Sequence, residues 1–287
     1  MALIITLLAA SIIRPYFGSE KLPEDKIETM LAYKYVVPER VDVIENGSIR
    51  FTQADALNDP FETYPCFHVF KKSLEERSHR TLERNKTRFR AEAVVAGELA
   101  IPRMVSEKVT ELRRQLCQDY PMLSLTTKRN NLLMWSHYAS AHRGFVVGFD
   151  AEHPFFNKVE MPRTITPLSQ VRYSDKRPLV PIFDECDQDL REMLFLTKSG
   201  HWAYEEELRM FAQPKVADVV LQDNNGLNIY LYKFPPECVR EVIFGCLMEQ
   251  PLKERITNAV RERYPNAELF QAALNETDFD LDIAPYN

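Results

Sequence analysis

The order of apolar and polar residues predicts a compact strand, helix and strand near the start of the chain. Residues 31–37 (LAYKYVV) are rich in residues that favour strands and end at Pro38, so we predict a strand there. Residues 38–46 have the pattern of a short helix, because proline is favoured in the first turn and Gly47 follows the end. Residues 48–52 (SIRFT) return to an extended pattern.

Apolar runs farther along the chain predict strands and helices that do not alternate regularly. Strands are predicted at residues 121–127, 144–150, 170–173, 208–212, 229–234, 241–244 and 268–272. Helices are predicted at residues 131–140, 187–197 and 250–263, with two or three more in a helical insertion at about 67–120. This order is typical of the α+β class, so we expect a mixed, mostly antiparallel sheet. A single domain would span residues 31–287, after an N-terminal helical segment at residues 1–30.

The composition excludes several common nucleotide, metal and nucleophile sites. With 8 glycines in 287 residues, the chain has no G-x-G-x-x-G or G-x-x-x-x-G-K-[ST] motif, so neither a Rossmann unit nor a P-loop is expected. Its 5 cysteines form no C-x-x-C pair and its 6 histidines form no H-E-x-x-H pattern, so no disulfide framework or metal site is predicted. A serine-nucleophile elbow, G-x-S-x-G, is also absent from the sequence.

The chain opens with an apolar run, ALIITLLAASII, that is too short to cross a bilayer as a helix. Only Met1 precedes the run, whereas a secretory signal begins with positive charge. An odd number of scattered cysteines is typical of a reducing compartment. We therefore expect a cytoplasmic protein without stable membrane insertion, in which the run is a short packed helix. A signal-like or membrane-touching segment is the alternative.

The net charge of -6 conceals an uneven distribution. Residues 71–90 carry eight basic and three acidic side chains, whereas residues 271–287 carry four acids and no base. The basic segment is consistent with contact to a phosphate backbone or with a solvated helix face. Few aromatic residues lie among its charges, so stacking on single-stranded bases is not indicated. The acidic segment is consistent with an edge strand or a loose tail.

Residues 58–62 (NDPFE) form the first of three polar clusters with candidate chemistry. Asn58 and Asp59 are good turn formers, and the following proline restricts Asp59 to an extended conformation. Asn58, Asp59 and Glu62 are candidate ligand contacts. The alternative is that Asn58 and Asp59 cap backbone amides in a loop.

The second cluster is Met134 to Tyr138 (MWSHY), which is followed by His142, Arg143 and Gly144. On a helix, Trp135, His137 and Tyr138 fall on neighbouring turns, so an imidazole and a phenol would project beside an indole. Such a group can stack on a planar ring and hydrogen-bond a polar ligand. Core packing of Met134 and Trp135 is the alternative.

The third cluster is Trp202 to Arg209 (WAYEEELR), which Lys198 precedes. If this segment is extended, Glu205, Glu207 and Arg209 share one face, and an acid pair beside an arginine could hold a ribose diol. If it is helical, Glu205 and Arg209 form a surface ion pair of little energetic weight. The sequence leaves both conformations open.

These clusters, in this order after the first strand, resemble a prokaryotic family known as domain of unknown function 2971. Its pattern runs from a Y-K-Y strand through N-D-P-F-E and L-M-W-x-H-Y to K-x-x-x-W-x-Y-E-x-E-x-R. The matching residues are Tyr33 to Tyr35, Asn58 to Glu62, Leu133 to Tyr138, and Lys198, Trp202, Tyr204, Glu205, Glu207 and Arg209. The resemblance covers about residues 31–233 and implies an association with phage defence and mobile DNA, but no particular reaction.

A second resemblance is to ADP-ribosyltransferases, which begin with a strand, a helix and a second strand and carry a late catalytic glutamate. Residues 33–35, 43–47 and 48–51 are laid out similarly, and Glu205 and Glu207 are similar to the E-x-E element of those enzymes. Lys34 occupies the position where His or Arg is typical, which departs from their pattern.

This second resemblance implies a role for each candidate residue. Glu207, with Glu205 beside it, would be the catalytic carboxylate that binds the ribose 2′-hydroxyl and stabilises an oxocarbenium-like ribose. Tyr35, Trp135 and Tyr138 would stack on nicotinamide, and Lys34 or Arg143 would contact ribose or phosphate. The other substrate-binding candidates are Asn58, Asp59, Glu62, His137 and Arg209. NAD would be a substrate, and no cofactor is expected.

We therefore expect an ADP-ribosyltransferase-like, NAD-consuming enzyme of a phage-defence (abortive infection) or mobile-element system, with a small-molecule nucleotide as its partner. The alternative is a non-catalytic sensor, in which the same polar cleft binds a nucleotide or nucleic acid and residues 71–90 contact a backbone. A nuclease is disfavoured because the sequence shows no metal-binding spacing of acids and histidines. The protein or nucleic-acid acceptor and the oligomeric state stay open.

Overall fold

The computed structural model describes residues 30–63, 114, 117–157, 166–178 and 195–286, which fall into two compact units. The pocket unit contains residues 54–63, 114, 117–119, 172–178 and 195–200. The sheet unit contains residues 30–53, 120–157, 166–171 and 201–286. The predicted N-terminal segment and most of the predicted insertion at 67–120 lie outside the described residues, so both stay predictions.

The described residues form three sheets. In chain order the strands are β1 Leu31–Val36, β2 Ser48–Phe51, β3 Met122–Thr126, β4 Phe145–Asp150, β5 Ser169–Gln170, β6 Arg172–Ser174, β7 Thr197–Ser199, β8 Glu207–Phe211, β9 Val219–Gln222, β10 Asn228–Lys233, β11 Val239–Phe244, β12 Glu268–Leu274 and β13 Leu281–Pro285. The sheet unit holds an eight-stranded sheet in the order β13-β12-β11-β4-β1-β3-β8-β5 and a three-stranded sheet in the order β2-β10-β9. The pocket unit holds the parallel pair β6 and β7.

Among the described strands of the eight-stranded sheet, neighbours are antiparallel apart from β11 and β12. The α-helices of the sheet unit are α1 Asp42–Asn46, α2 Leu132–Tyr138, α3 Pro154–Asn157 and α4 Gln250–Arg263. Short 3-10 segments lie at Pro38–Arg40, Ala54–Ala56, Gly200–Glu205, Pro214–Val216 and Pro236–Cys238. The α+β class and the mixed, mostly antiparallel sheet are confirmed. No helix within the described ranges is both long and apolar enough to span a bilayer.

The eight-stranded sheet separates two layers of apolar core. On one face, Leu125 and Val147 belong to a cluster that includes buried side chains of α1 and α4. On the other face, Val146 packs in a cluster with Trp135 of α2. Successive side chains of a strand point to opposite faces, so a strand between two apolar layers is buried on both faces. This explains why every residue of β4 is buried.

Most predicted elements are confirmed, and the differences occur where strands change partners. The strand predicted at 170–173 is divided at Val171. The N–H of Val171 donates to the carbonyl of Glu207 at 2.9 Å, whereas that of Arg172 donates to the carbonyl of Leu196 at 2.7 Å. β5 and β6 therefore belong to different sheets.

Three further strands correct or complete the sequence prediction. Residue 197, the last residue of a predicted helix, instead begins β7, and residues 187–194 of that helix lie outside the described residues. The pattern does not predict β9, because all four of its side chains are exposed and none marks a buried face. The acidic end of the chain contains β13, at the edge of the eight-stranded sheet, so the edge-strand alternative is correct.

Gly144 and Gly245 allow two backbone segments to approach more closely than side chains permit. The N–H of Gly245 donates to the carbonyl of Gly144 at 2.9 Å. A Cβ atom at Gly245 would lie 2.2 Å from the carbonyl oxygen of His142. Ser140, Ala141 and His142 have φ angles of 50°, 50° and 65°, a left-handed conformation that is costly for residues other than glycine. The close approach thus helps to hold a strained turn directly after α2.

We expect Gly245→Ala to lower the free energy of unfolding by at least about 1–3 kcal/mol, because the added Cβ would overlap backbone atoms that cannot rotate away. Gly226→Ala is the control, since its Cβ would have no neighbour within 4 Å and only its φ of 78° is strained. Urea denaturation measures both variants. Equal losses in the two would contradict the role given to the close approach.

Candidate functional site

β8 carries the last glutamate and the arginine of the third polar cluster on one face of the eight-stranded sheet. Thr126 lies opposite Glu207, and Ser124 lies opposite Arg209, in the pairing of β3 with β8. Side chains two residues apart on a strand share a face, so Glu207 and Arg209 project to the same side. The extended alternative is therefore correct from Glu207 onward, whereas Glu205 lies in the preceding 3-10 segment.

Glu207 and Arg209 form a bidentate ion pair inside the sheet unit. Nε of Arg209 donates to Oε1 of Glu207 at 2.6 Å, and Nη2 donates to Oε2 at 2.9 Å. The two residues are 3% and 0% exposed. Charges buried this deeply are tolerated when they are paired and hydrogen-bonded. Both carboxylate oxygens of Glu207 are thus engaged by one guanidinium group.

Glu205 is the second buried carboxylate of this segment, and it is also 3% exposed. Tyr138, the last residue of α2, donates its phenol O–H to Oε1 of Glu205 at 2.6 Å. Tyr138 is only partly buried, so one side of this hydrogen-bonded pair reaches the surface. The structure therefore brings together Tyr138 and Glu205, two residues singled out from the sequence.

Glu206 turns the chain between the two buried carboxylates. Its φ of 41° is a left-handed conformation that is strained for a residue with a side chain. Its carboxylate accepts a hydrogen bond from the Thr127 hydroxyl at 2.7 Å and forms an ion pair with Lys128 at 3.0 Å. The Thr127 hydrogen bond, with those from Lys128, lowers the pKa of Glu206. These contacts fix the turn that separates Glu205 from β8.

Asn131 joins α2 to the same segment. Its Oδ1 accepts a hydrogen bond from the N–H of Met134 at 3.1 Å, and its Nδ2 donates to the carbonyl of Tyr204 at 2.9 Å. Asn131 is not among the candidate residues in the sequence. An asparagine at the start of a predicted helix is nevertheless a common N-cap signal, and that signal could have found it.

Lys34 and Tyr35 lie on opposite faces of β1. Lys34 lies opposite Val147 of β4, so it shares a face with Val147, and its Nζ donates to the carbonyl of Ser124 at 2.8 Å. Tyr35 lies on the face of Glu207 and donates its O–H to the carbonyl of Lys128 at 3.1 Å. Burial raises the pKa of the Tyr35 phenol, which therefore stays a neutral donor. Lys34 and Glu207 therefore lie on opposite faces of the sheet.

The other candidates of the sheet unit divide between core and surface. Trp135 is fully buried, with its ring 5.3 Å from that of Tyr35, and its indole N–H donates to the carbonyl of Arg129 at 3.0 Å. His137 and Arg143 are exposed. Their predicted contacts with a substrate stay predictions.

In the pocket unit, Asp59 shapes the turn that carries the first polar cluster. Its Oδ1 accepts a hydrogen bond from the N–H of Phe61 at 2.9 Å, and its carbonyl accepts one from the N–H of Glu62 at 3.1 Å. Asp59 and Glu62 are buried, whereas Asn58 and Phe61 are exposed. Asp59 therefore caps a backbone amide, as the loop alternative predicts, and Glu62 is directed inward.

Glu62 meets Lys198 of β7 in the interior of the pocket unit. Nζ of Lys198 lies 3.5 Å from Oε1 of Glu62, and the two side chains are 6% and 3% exposed. Both residues line a cavity of about 260 Å³. Phe61, Lys176 and Arg177 are exposed parts of its lining. Lys176 and Arg177 are not candidates in the sequence, because only the fold brings them close to the turn that contains Phe61.

The candidate binding groups of the sheet unit and of the pocket unit are side chains. Within the described residues, no three His, Cys, Asp or Glu side chains are grouped as metal ligands. The sheet unit offers carboxylates held by a phenol and a guanidinium, and the pocket unit offers an aromatic ring with charges of both signs. Such groups can bind hydroxyls, phosphate and planar rings.

Comparison with known proteins finds a family model that is similar to part of the chain. Residues 134–210 match the model of a family described as protein of unknown function (DUF2971). The matched segment contains Trp135, His137, Tyr138 and the segment from Lys198 to Arg209, so the resemblance stated from the sequence is confirmed there. No curated protein and no solved structure matches the chain significantly.

We expect Glu207→Gln to lower the free energy of unfolding by about 3–5 kcal/mol. The change removes the negative charge that pairs with the fully buried guanidinium of Arg209. A variant that combines Glu207→Leu with Arg209→Met removes both charges together. It should lose less stability than the two single changes added. Urea denaturation of the single and double variants measures the coupling, and additive losses would contradict the ion pair.

Proposed function

We propose that the chain is a cytoplasmic, NAD-consuming enzyme of the ADP-ribosyltransferase type, with Glu205 as its catalytic carboxylate. The proposal places it in a phage-defence or mobile-element system, because the family it resembles is associated with such systems. The observation that carries the proposal is the hydrogen bond from Tyr138 to Glu205.

Glu205 binds a hydroxyl donor, which is the kind of group that a ribose presents. The phenol of Tyr138 donates to its Oε1 at 2.6 Å. A ribose 2′-hydroxyl can replace the phenol with similar geometry, since both are O–H donors to a carboxylate. Rotation of the partly exposed Tyr138 side chain would release Oε1 of Glu205 from the phenol.

A carboxylate in this position would assist cleavage of the bond between nicotinamide and ribose. The electron pair of that bond leaves with nicotinamide, and C1′ of the ribose takes on oxocarbenium character. A carboxylate bonded to the 2′-hydroxyl stabilises this developing charge more strongly than it stabilises the substrate. Attack by water or another acceptor forms the new bond at C1′ and releases one proton. With water as the acceptor, the product is ADP-ribose.

Glu207 is a positioning residue in this proposal. Both of its oxygens are held by Arg209, and this pair fixes the start of β8 two residues after Glu205. Lys34 is given no contact with substrate, because its Nζ bonds the Ser124 carbonyl and it lies on the opposite face from Glu207. β1, α1 and β2 support the resemblance to ADP-ribosyltransferases only through their order along the chain.

A non-catalytic sensor of a nucleotide or nucleic acid is the second candidate. One observation favours it: Glu205 and Glu207 are both only 3% exposed, so a ligand reaches neither carboxylate without movement of a side chain. A sensor would bind a nucleotide and release no nicotinamide. The two candidates therefore differ in one measurable product.

Purified protein incubated with NAD should release nicotinamide, and Glu205→Gln should slow the release by at least about 100-fold, which is the usual cost of removing one contact to developing charge. Glu268→Gln, at an exposed glutamate of β12, is the matched control and should keep the unmodified rate. Chromatography of nicotinamide measures the rates, and the melting temperature verifies that each variant is folded.

Two results would contradict the enzyme as proposed. Release of nicotinamide at the same rate by folded Glu205→Gln would remove Glu205 from the chemistry. An absence of release by the unmodified protein with water, protein and nucleic-acid acceptors would exclude the enzyme, and retained NAD binding in the same sample would support the sensor.

A further inference from the structure

We infer that β9 is a surface on which two copies of this chain pair, edge to edge and antiparallel, around a twofold axis at Leu221. The inference concerns the three-stranded sheet of the sheet unit and does not rest on turnover at Glu205. It is carried by the exposed apolar side chains of β9, by the direction of its backbone groups and by the order of its residues.

β9 presents an uncharged, largely apolar sequence at the end of its sheet. The order β2-β10-β9 makes it an edge strand, and none of the described strands pairs with its outer side. Val219, Val220 and Leu221 are 39%, 51% and 51% exposed, so apolar side chains reach solvent on both faces of the strand. An exposed apolar edge of this kind is a template for pairing with another chain.

The other edge strands in the described part of the sheet unit carry features that discourage pairing. β13 contains Asp282 and Pro285, β5 is only two residues long, and β2 carries Arg50. Charged side chains, proline and short length are the usual means by which proteins protect the edges of their sheets. β9 has neither a charge nor a proline in any of its four positions. Its sequence therefore favours pairing, in contrast to the edges of the eight-stranded sheet.

The backbone of β9 directs two of its residues toward the open edge. The N–H of Asp223 donates to the carbonyl of Leu227 at 2.9 Å, so these two residues form a hydrogen-bonded pair where β9 turns into β10. Hydrogen-bonded and non-hydrogen-bonded pairs alternate along an antiparallel ladder. Leu221 therefore bonds to β10, whereas Val220 and Gln222 point their N–H and C=O groups outward. A partner strand can satisfy these groups.

One register lets two copies of β9 satisfy all of these outward groups on each other. If Leu221 lies opposite Leu221 of the second copy, Val220 of each chain lies opposite Gln222 of the other. Each such pair exchanges both of its N–H to C=O hydrogen bonds, so every outward N–H and C=O of the two residues gains a partner. The same patch serves on both chains, as a twofold axis requires.

This register also keeps like charges from lying opposite each other. Asp218 and Asp223 flank β9 in the sequence. With Leu221 at the axis, Asp223 lies opposite Val219 of the second copy, and Asp218 lies opposite Asn224. Like charges directly opposite each other destabilise a strand pair, whereas two leucines at the axis bury apolar surface. β9 itself therefore has the sequence that a partner strand for this edge needs.

The length of β9 limits the strength of the association. The strand has four residues, whereas a standard protein interface uses about 20–30 residues on each side. Interfaces much smaller than the standard size belong to transient complexes. We therefore expect a reversible dimer whose population rises with the concentration of the chain.

Analytical ultracentrifugation of the full chain tests the association. The average mass should rise from that of one chain toward that of two between about 1 μM and 1 mM, the range of a weak complex. Leu221→Lys should raise the dissociation constant at least about tenfold, because two ammonium groups would oppose each other at the axis. Leu247→Lys changes a leucine outside β9 that is 53% exposed, so this matched control should dimerise like the unmodified chain. The melting temperature verifies that each variant is folded.

Three results of that experiment would overturn the inference. A chain that stays monomeric at about 1 mM would overturn it in favour of a strand from another protein. Growth beyond two copies would contradict a twofold axis, which closes the assembly at a dimer. Equal weakening by Leu221→Lys and Leu247→Lys would remove β9 from the interface.

Cross-linking through an introduced cysteine tests the register. In the proposed pairing, position 221 of the two copies forms a non-hydrogen-bonded pair with Cα atoms about 4.5 Å apart, which a disulfide can bridge. Leu221→Cys should therefore form a covalent dimer when it is oxidised with diamide. In Val220→Cys, the matched control, the two positions lie on a diagonal about 7–8 Å apart and should not be bridged. The unmodified chain, with its own 5 cysteines, gives the background.

The pattern of cross-links decides the assignment. A covalent dimer of Leu221→Cys above the background, with none for Val220→Cys, would support the twofold axis at Leu221. Equal cross-linking of the two variants would overturn the register. An absence of cross-linking by Leu221→Cys at a concentration at which the chain is dimeric would place the interface elsewhere and overturn the inference.

Discussion

The ion pair between Glu207 and Arg209 is the constraint on which the polar face of the sheet unit depends. Two charges that are 3% and 0% exposed are costly to bury, and each is tolerated because it meets the other in bidentate geometry. The pair requires β8 to be extended, so that residues two apart share a face. Glu205 is thereby held at the entrance of the strand.

The contacts around Glu205 follow from that requirement. Glu206 adopts a strained, left-handed conformation between the two carboxylates, and the Thr127 hydroxyl and Lys128 hold its side chain. Asn131 caps α2 and also bonds the Tyr204 carbonyl. The segment from β3 to α2 is thus tied to the entrance of β8, and Tyr138 meets Glu205. Glu207 and Arg209 provide the framework, while Tyr138, the hydrogen-bond partner of Glu205, is partly exposed.

Local signals in the sequence predict those parts of the fold that depend on a few neighbouring residues. Gly47 has the left-handed conformation expected after α1, and the apolar run of β4 is a buried strand. Neighbouring residues do not determine which strand a segment pairs with. The division of the predicted strand at Val171 could therefore not be predicted from the sequence. The meeting of Lys198 with Glu62 likewise joins distant segments.

A crystal structure of the Glu205→Gln variant with NAD would test the central claim, that Glu205 contacts the ribose while Glu207 remains part of the framework. The account predicts the ribose 2′-hydroxyl within hydrogen-bonding distance of the side chain at position 205, in the place of the Tyr138 phenol. It also predicts that Arg209 keeps its contacts of 2.6 and 2.9 Å with Glu207. A ribose bound to Glu207, with Arg209 displaced, would contradict the account.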